Sequence, residues 1–425
     1  MRIKQRLYMI SLDAFGASDL EYAKTLPNFK YLLDRSALVE KVETVYPSLT
    51  YMAHTSIVTG MYPNKHGITN NTYLQPERKS PDWHWYAKDI KVPSLFDAAH
   101  EKGYKTASFL WPVTGRSKSI DYNLTEIFPN RPWQNQVLVS LYSSTPLFAI
   151  ELDRKFGHLR KGIQQPALDE FLTACIVDTI KTKNPDLMAI HLVDLDSTRH
   201  HFGVRSSEAF AAIDRMDQHL GQIMEAMKEQ GIFEETIIAV LGDHYQIDTH
   251  TVIHLNTLFE EKGWLKRDRK GKITAWEVVA KSADGACYVY AKPEADLEKV
   301  AQALQSLPKG VAFIYTGQQA AQLGADENCQ FLIEAERGYY FDTDQIGPLF
   351  ESTEHPNHHK ATHGFSPVKD QYETMMFISG PGIDEKARIP FARLVDEGPT
   401  FLHAMGYTFN HPTDGKVIKA LFREG

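Results

Sequence analysis

The chain has 425 residues, 43% of them hydrophobic and 24% charged, an ordinary globular composition with ample sequence for one large domain or a domain carrying an insertion. A formal charge of −8 and a pI near 6.1 exclude a general binder of nucleic-acid polymers, whose phosphate contacts need clustered Lys and Arg. Cys175, Cys287 and Cys329 lie far apart with no CxxC spacing, so neither a disulfide framework nor a cysteine zinc site is expected, and a reducing compartment is the default.

The N-terminal stretch MRIKQRLYMISLDAFG starts with basic residues as a signal peptide does, but its apolar run LYMISL stops at Asp13, short of the roughly 7–15 residues of a signal-peptide core. It reads as a buried first strand. No stretch reaches about 18 uninterrupted apolar residues, so no membrane span is expected and a soluble cytoplasmic protein is the expectation.

Further short apolar runs follow at TASFLW (106–111), LMAIHLV (187–193), TIIAVL (236–241) and MMFIS (375–379). With LYMISL at 7–12 they give the pattern of a mostly parallel sheet covered on both faces, an α/β fold of three α/β/α layers. Amphipathic segments lie between them. In AAIDRMDQHLGQIMEAMKEQG, Ile213, Met216, Leu220, Ile223 and Met227 recur at helical spacing and Gly231 supplies the stop. From about residue 256 the texture changes to a charged hairpin and then a strand–helix pattern, GACYVYAKPEADLEKVAQALQSL. The expected organisation is therefore a core of residues 1–255 and 346–425 with an inserted α+β, cap-like subdomain at 256–345. The sheet resumes at MMFIS, and a helix at 392–406 closes the chain. The segment 117–165 is rich in aromatic residues and reads equally as a cover for a site or as a subunit contact.

Open α/β sheets present ligands beyond the carboxyl ends of their strands. Asp13 follows the first run, Asp194 and Asp196 follow LMAIHLV with His200 four residues on, and Asp243 and His244 follow TIIAVL. EHPNHHKATHG adds His355, His358, His359 and His363 shortly before MMFIS. One aspartate at a strand end is usually a cap or turn former. Three strand ends that all deliver carboxylates, two of them with a nearby histidine, point instead to divalent ions held close together. Upstream, VYPSLTYMAHTSIVTG reads as the entrance to a helix with Thr50 near its start, where free N–H groups favour an anion. Spacing alone makes Thr50 an N-cap before a nucleophile, because its hydroxyl needs a metal or a base to become reactive.

These motifs resemble those of the nucleotide pyrophosphatase/phosphodiesterase family within the alkaline phosphatase superfamily. The resemblance rests on SLDAFG, the threonine-led VYPSLTYMAHTSIVTGMYPNKHGITNN, DSTRH at 196–200, LGDH and THGF, in that order. It implies an alkaline-phosphatase-like core and two metal ions, zinc first and manganese as the other candidate. It places Asp196, His200 and His363 on one ion, and Asp13, Asp243 and His244 on the other with Thr50 facing it. It also implies that Asn71 holds phosphate oxygens, that Tyr51 stacks on a nucleobase unless it belongs to the core, and that turnover passes through a phosphothreonine. The substrate implied is a small phosphorylated molecule, a nucleotide among the candidates, with neither nucleic-acid polymer nor membrane as partner. Oligomeric state is not indicated.

The sequence departs from the family at Tyr51-Met52-Ala53, at Tyr245 after the Asp-His pair, and at Arg199 between Asp196 and His200. Tyr51-Met52-Ala53 and Tyr245 are both expected in the pocket wall, and Arg199 either beside the site as a cation or on the surface. A phosphomonoesterase or phosphonate hydrolase, a phosphomutase and a non-catalytic zinc-binding protein stand as alternatives. A diesterase needs a slot for its second ester group, for which the insertion and the Trp83–Trp85 loop are candidates.

Overall fold

The computed structural model describes residues 4–343 and 345–423. Its centre is a nine-stranded sheet whose principal strands are β1 (Arg6–Leu12), β2 (Ala37–Glu43), β3 (Thr106–Phe109), β4 (Tyr122–Leu124), β5 (Leu187–Leu192), β6 (Thr236–Leu241) and β7 (Thr374–Ser379). Across the sheet the order is β2-β7-β6-β1-β5-β3-β4, with two short strands, Arg388–Ile389 and Ala392–Arg393, along β2. The run from β6 to β4 is parallel throughout. β7 lies antiparallel to both β6 and β2. β1, β5 and β6 are buried along nearly all of their length, as strands covered on both faces must be.

The helices that matter for the site are α1 (Thr50–Thr59), α2 (Asp194–Phe202) and α3 (Ser207–Glu229). In α3 the five predicted apolar positions are all buried, each contributing about 1.5–3 kcal/mol through removal from water. Gly231 adopts φ +68 just beyond the helix end. A buried aliphatic and aromatic cluster fills each face of the sheet.

Two elements are shorter than the sequence pattern predicts. β3 ends at Phe109 because Leu110 takes a positive φ of 53, turning the chain so that Trp111 packs edge-on against His54. The last helix starts only at Glu397, since Ala392–Arg393 pairs with β2 and a short 3-10 turn follows. Residues 265–267 and 273–276 form the expected antiparallel hairpin. A four-stranded antiparallel sheet spans 278–335, with a helix at Leu297–Gln305. The 117–165 segment holds β4 and the helices Gln136–Ser143 and Pro146–Phe156. Among the described residues no helix is long and apolar enough to cross a membrane, and all three cysteines are buried and free.

Candidate active site

Parallel register brings the three strand ends together. Leu12 pairs with Leu192 and Ser11 with Leu241, so Asp13, the start of α2 and Asp243 leave the sheet as neighbours at its carboxyl edge. α1 then delivers Thr50. The N-cap of α1 is Leu49, which is extended and offers no side-chain cap, and Thr50 is the first helical residue. The expectation of Thr50 as N-cap is therefore corrected. Capping comes from a distant loop instead: Asn71 Oδ1 accepts a hydrogen bond from the Tyr51 N–H at 3.1 Å, which frees the Thr50 hydroxyl and leaves the Asn71 amide N–H groups as donors.

That hydroxyl faces His244, with Thr50 Oγ1 3.0 Å from His244 Nε2. The same ring nitrogen lies 3.4 Å from Asp13 Oδ1 and 3.2 Å from Asp243 Oδ2. Beside this group stands a second one. Asp196 and His200 are one turn apart on α2 and meet at 3.3 Å, the contact expected of i, i+4 positions. His363 Nε2 approaches Asp196 Oδ1 at 3.9 Å, and the His363 ring stacks on His244 with centroids 4.1 Å apart. His363 sits at a tight turn in which Gly364 has φ +83, and a Cβ there would lie 1.8 Å from the Ala283 carbonyl oxygen. Only glycine can follow His363 without moving it.

Burial first, and then the neighbouring Asp196 charge, raises the Asp13 carboxyl well above the ordinary range; burial and Asp13 do the same to Asp243. Burial lowers His244 to about 3 and, with His244 alongside, lowers His363 as well. Burial also works against a charged His200, but Asp196 outweighs it and lifts the imidazole to about 9. The outcome is a buried concentration of acceptor atoms with few donors. Among the described residues Asp13 Oδ1 and Asp243 Oδ2 have no hydrogen-bond partner, an arrangement expensive for a buried carboxylate unless a cation completes it. Ligand atoms of Asp196, His200 and His363, and of Asp13, Asp196 and His244, lie within 4.8 Å of one another in each trio. Both trios have the mixed nitrogen and oxygen donors that suit a borderline divalent ion.

Several supporting residues were not singled out from the sequence. His191 holds Asp13 Oδ2 at 3.0 Å from within β5, and an imidazole in the middle of an apolar strand was the available signal. His54 lies one turn after Thr50, its Nδ1 2.8 Å from the Thr50 carbonyl and its Nε2 2.9 Å from Ser11 Oγ. Gln246 donates to Asp196 Oδ1 at 2.5 Å. His200 Nδ1 lies 2.8 Å from the Ala361 carbonyl, which turns Nε2 toward Asp196.

Other sequence candidates take different places. Asp194 points away from the site, accepting from Arg215 at 2.6 Å. The four histidines of EHPNHHKATHG divide: His363 enters the site, His359 lies against His200 with ring centroids 4.2 Å apart, and His358 pairs with Glu351 near His355. Tyr51 is 1% exposed and belongs to a buried cluster with Ile68, Trp85, Val113 and Ile127, so it takes the core alternative; Trp83, only partly buried, meets its edge.

Arg199 is neither a surface residue nor a free cation. It is 1% exposed and grips both Asp19 oxygens, at 2.6 and 3.0 Å. Its guanidinium lies 4.9 Å from the centre of the Tyr245 ring, and the Tyr245 hydroxyl accepts from Ser18 at 2.8 Å. Two of the departures from the family pattern thus form one buried packing unit, and Tyr245 is not a pocket wall.

The sequence model of the family described as type I phosphodiesterase / nucleotide pyrophosphatase matches residues 7–366. Human ectonucleotide pyrophosphatase/phosphodiesterase family member 1 is 25% identical over 248 residues, covering 56% of this chain and 23% of that protein. Venom phosphodiesterase 2 of Crotalus adamanteus is 25% identical over 250 residues, with 56% and 26% covered. The matched region thus spans about a quarter of the length of these curated relatives. Among solved structures, inactive murine ectonucleotide pyrophosphatase / phosphodiesterase 5 in complex with AMP superposes with a TM-score of 0.72 at 16% identity, covering 99% of this chain and 100% of the other. That superposition gives the same α/β fold, and the family match, over residues 7–366, spans both candidate ligand trios and Thr50. This chain belongs to the type I phosphodiesterase / nucleotide pyrophosphatase family.

Proposed function

We propose that the chain is a metal-dependent phosphodiesterase of small nucleotide substrates, cleaving phosphodiester or phosphoanhydride bonds through a phosphothreonine on Thr50. The observation that carries this reading is the convergence of Thr50 Oγ1, Asp13 Oδ1 and Asp243 Oδ2 on His244 Nε2, at 3.0, 3.4 and 3.2 Å, next to the Asp196–His200–His363 trio.

Asp13, Asp243 and His244 would hold one divalent ion and Asp196, His200 and His363 another, zinc being the best match to these donors. Bound there, the ions supply Lewis acidity that lowers the pKa of a hydroxyl and neutralises charge on phosphate oxygens. The protein's own groups do the rest. Thr50 Oγ1, once deprotonated, attacks phosphorus, forming an Oγ–P bond as the bond to the leaving oxygen breaks. Water then attacks the phosphothreonine, returning the hydroxyl to Thr50 and releasing the phosphate product. Asn71 and the free N–H groups of the first turn of α1 donate to the non-bridging oxygens, whose charge grows in the transition state. Trp83, only partly buried, is an aromatic ring that can line the slot for the second ester group, since Tyr51 is enclosed. The complex of the murine relative with AMP supports a nucleotide as the ligand class.

The direct test compares bis(p-nitrophenyl) phosphate with p-nitrophenyl phosphate, using zinc-loaded protein and a chelator-treated blank. Preference for the diester, abolished by the chelator, is the expected result. Preference for the monoester would move the assignment to a phosphatase built on the same cage.

A further inference from the structure

Away from Thr50, three more ligand-type side chains meet. His254 follows the short strand Thr251–Ile253, Glu351 lies in the strand Phe350–Ser352 that pairs antiparallel with it, and His358 comes from the segment leading to His363. His254 Nε2 is 3.1 Å and His358 Nε2 3.3 Å from the same oxygen, Glu351 Oε2. Both imidazoles are 2% exposed while the glutamate keeps 31%, so the nitrogens are shielded and the carboxylate remains open to solvent. One ligand atom from each residue lies within 4.8 Å of the others, as in the Thr50-site trios.

A second observation concerns the space beside these atoms. A Cβ on Gly347 would fall 2.6 Å from Glu351 Oε2 and 2.7 Å from His254 Nε2. Gly347 is not among the glycines with positive φ, so backbone conformation does not call for glycine here. What its missing side chain provides is room next to two donor atoms.

We propose that His254, Glu351 and His358 form a separate divalent-cation site, best matched to zinc, with water completing the coordination from the Glu351 side. It is a structural site. His358 is five residues before His363, and Lys360 between them donates its N–H to the His200 carbonyl at 2.8 Å. A cation at His358 ties the segment that delivers His359 and His363 to the 251–253 strand.

The test is zinc content per chain after metal-stripped full chain is equilibrated with zinc chloride and dialysed, with folding checked by circular dichroism. Wild type should hold about three ions. Gly347→Ala and the double variant His254→Gln/His358→Gln should each hold about one fewer, and His200→Ala/His363→Ala should lose the ion that those two histidines share with Asp196 while keeping this one. Gly347→Ala keeps the test decisive if the histidine variant does not fold. Unchanged zinc content in Gly347→Ala and the histidine variant, or no ion left in folded His200→Ala/His363→Ala, would overturn the proposal.

Discussion

The two sides of α2 treat buried charge in opposite ways. One side carries Asp196 and His200 toward a crowd of acceptors where, among the described residues, Asp13 Oδ1 and Asp243 Oδ2 lack hydrogen-bond partners. The other carries Arg199, whose bonds to Asp19, the Ala14 carbonyl and the Val204 carbonyl occupy the guanidinium from several directions. Charges that are fully paired hold a fold together, whereas charges left unpaired at a strand edge mark a place prepared for a cation. Within one turn of helix, the pairing of each group separates architecture from chemistry better than residue type does.

The largest expected effect lies on the chemical side. Thr50→Ala should cut diester turnover by on the order of 10⁴-fold or more, as removal of a nucleophile does, while zinc content stays near the wild-type value; steady-state rates and metal analysis on the same sample check both. On the architectural side, Arg199→Met leaves Asp19 buried without its partner and should cost about 3–5 kcal/mol of stability, read by urea denaturation. Adding Asp19→Asn should recover much of that loss, because the stranded charge is then gone. If Arg199→Met instead left stability intact and abolished metal binding, the contrast between the two sides of the helix would be wrong.

Asn71→Ala removes the proposed donor to the phosphate oxygens and should lower kcat by about 10²-fold, near the lower end for loss of one such donor. It should also loosen the start of α1 by about 1 kcal/mol, since Asn71 caps the Tyr51 N–H.

The smallest effect is a pH trend. Asp13 and Asp243 are raised in the folded protein, so their contribution to the stability of metal-free protein is present at low pH and lost as pH rises through their raised values. His200, lifted to about 9, likewise contributes below its unfolded value and loses that contribution as pH rises through about 9. Zinc can bind only when these protons leave, so the rise in Tm on adding zinc should grow steadily between about pH 5 and pH 8. A rise that shrank over that interval would place the metal on other groups.

Much of this was legible in the chain. The near-continuous apolar runs at β1, β5 and β6 identify a covered parallel sheet, and their polar successors Asp13, Asp196 and Asp243 identify the edge where the candidate site lies. What local pattern could not convey was pairing over long sequence distances. Thr50 looks like an N-cap until Asn71, 21 residues on, is seen to fill that role. Arg199 looks like a surface residue until Asp19 is brought beneath it, and Tyr51 looks like a stacking platform until Trp85, Val113 and Ile127 close around it. β3 stops early for a reason of backbone conformation, the positive φ of Leu110, which an apolar run does not reveal.

The most direct test of the central claim is to quench zinc-loaded protein with acid during turnover of a nucleotide diester and determine the mass of the peptide containing Thr50. A phosphoryl adduct on Thr50 that forms and decays within turnover is the predicted result. Steady turnover with that peptide never modified, under conditions where the later step limits the rate, would contradict a covalent role for Thr50.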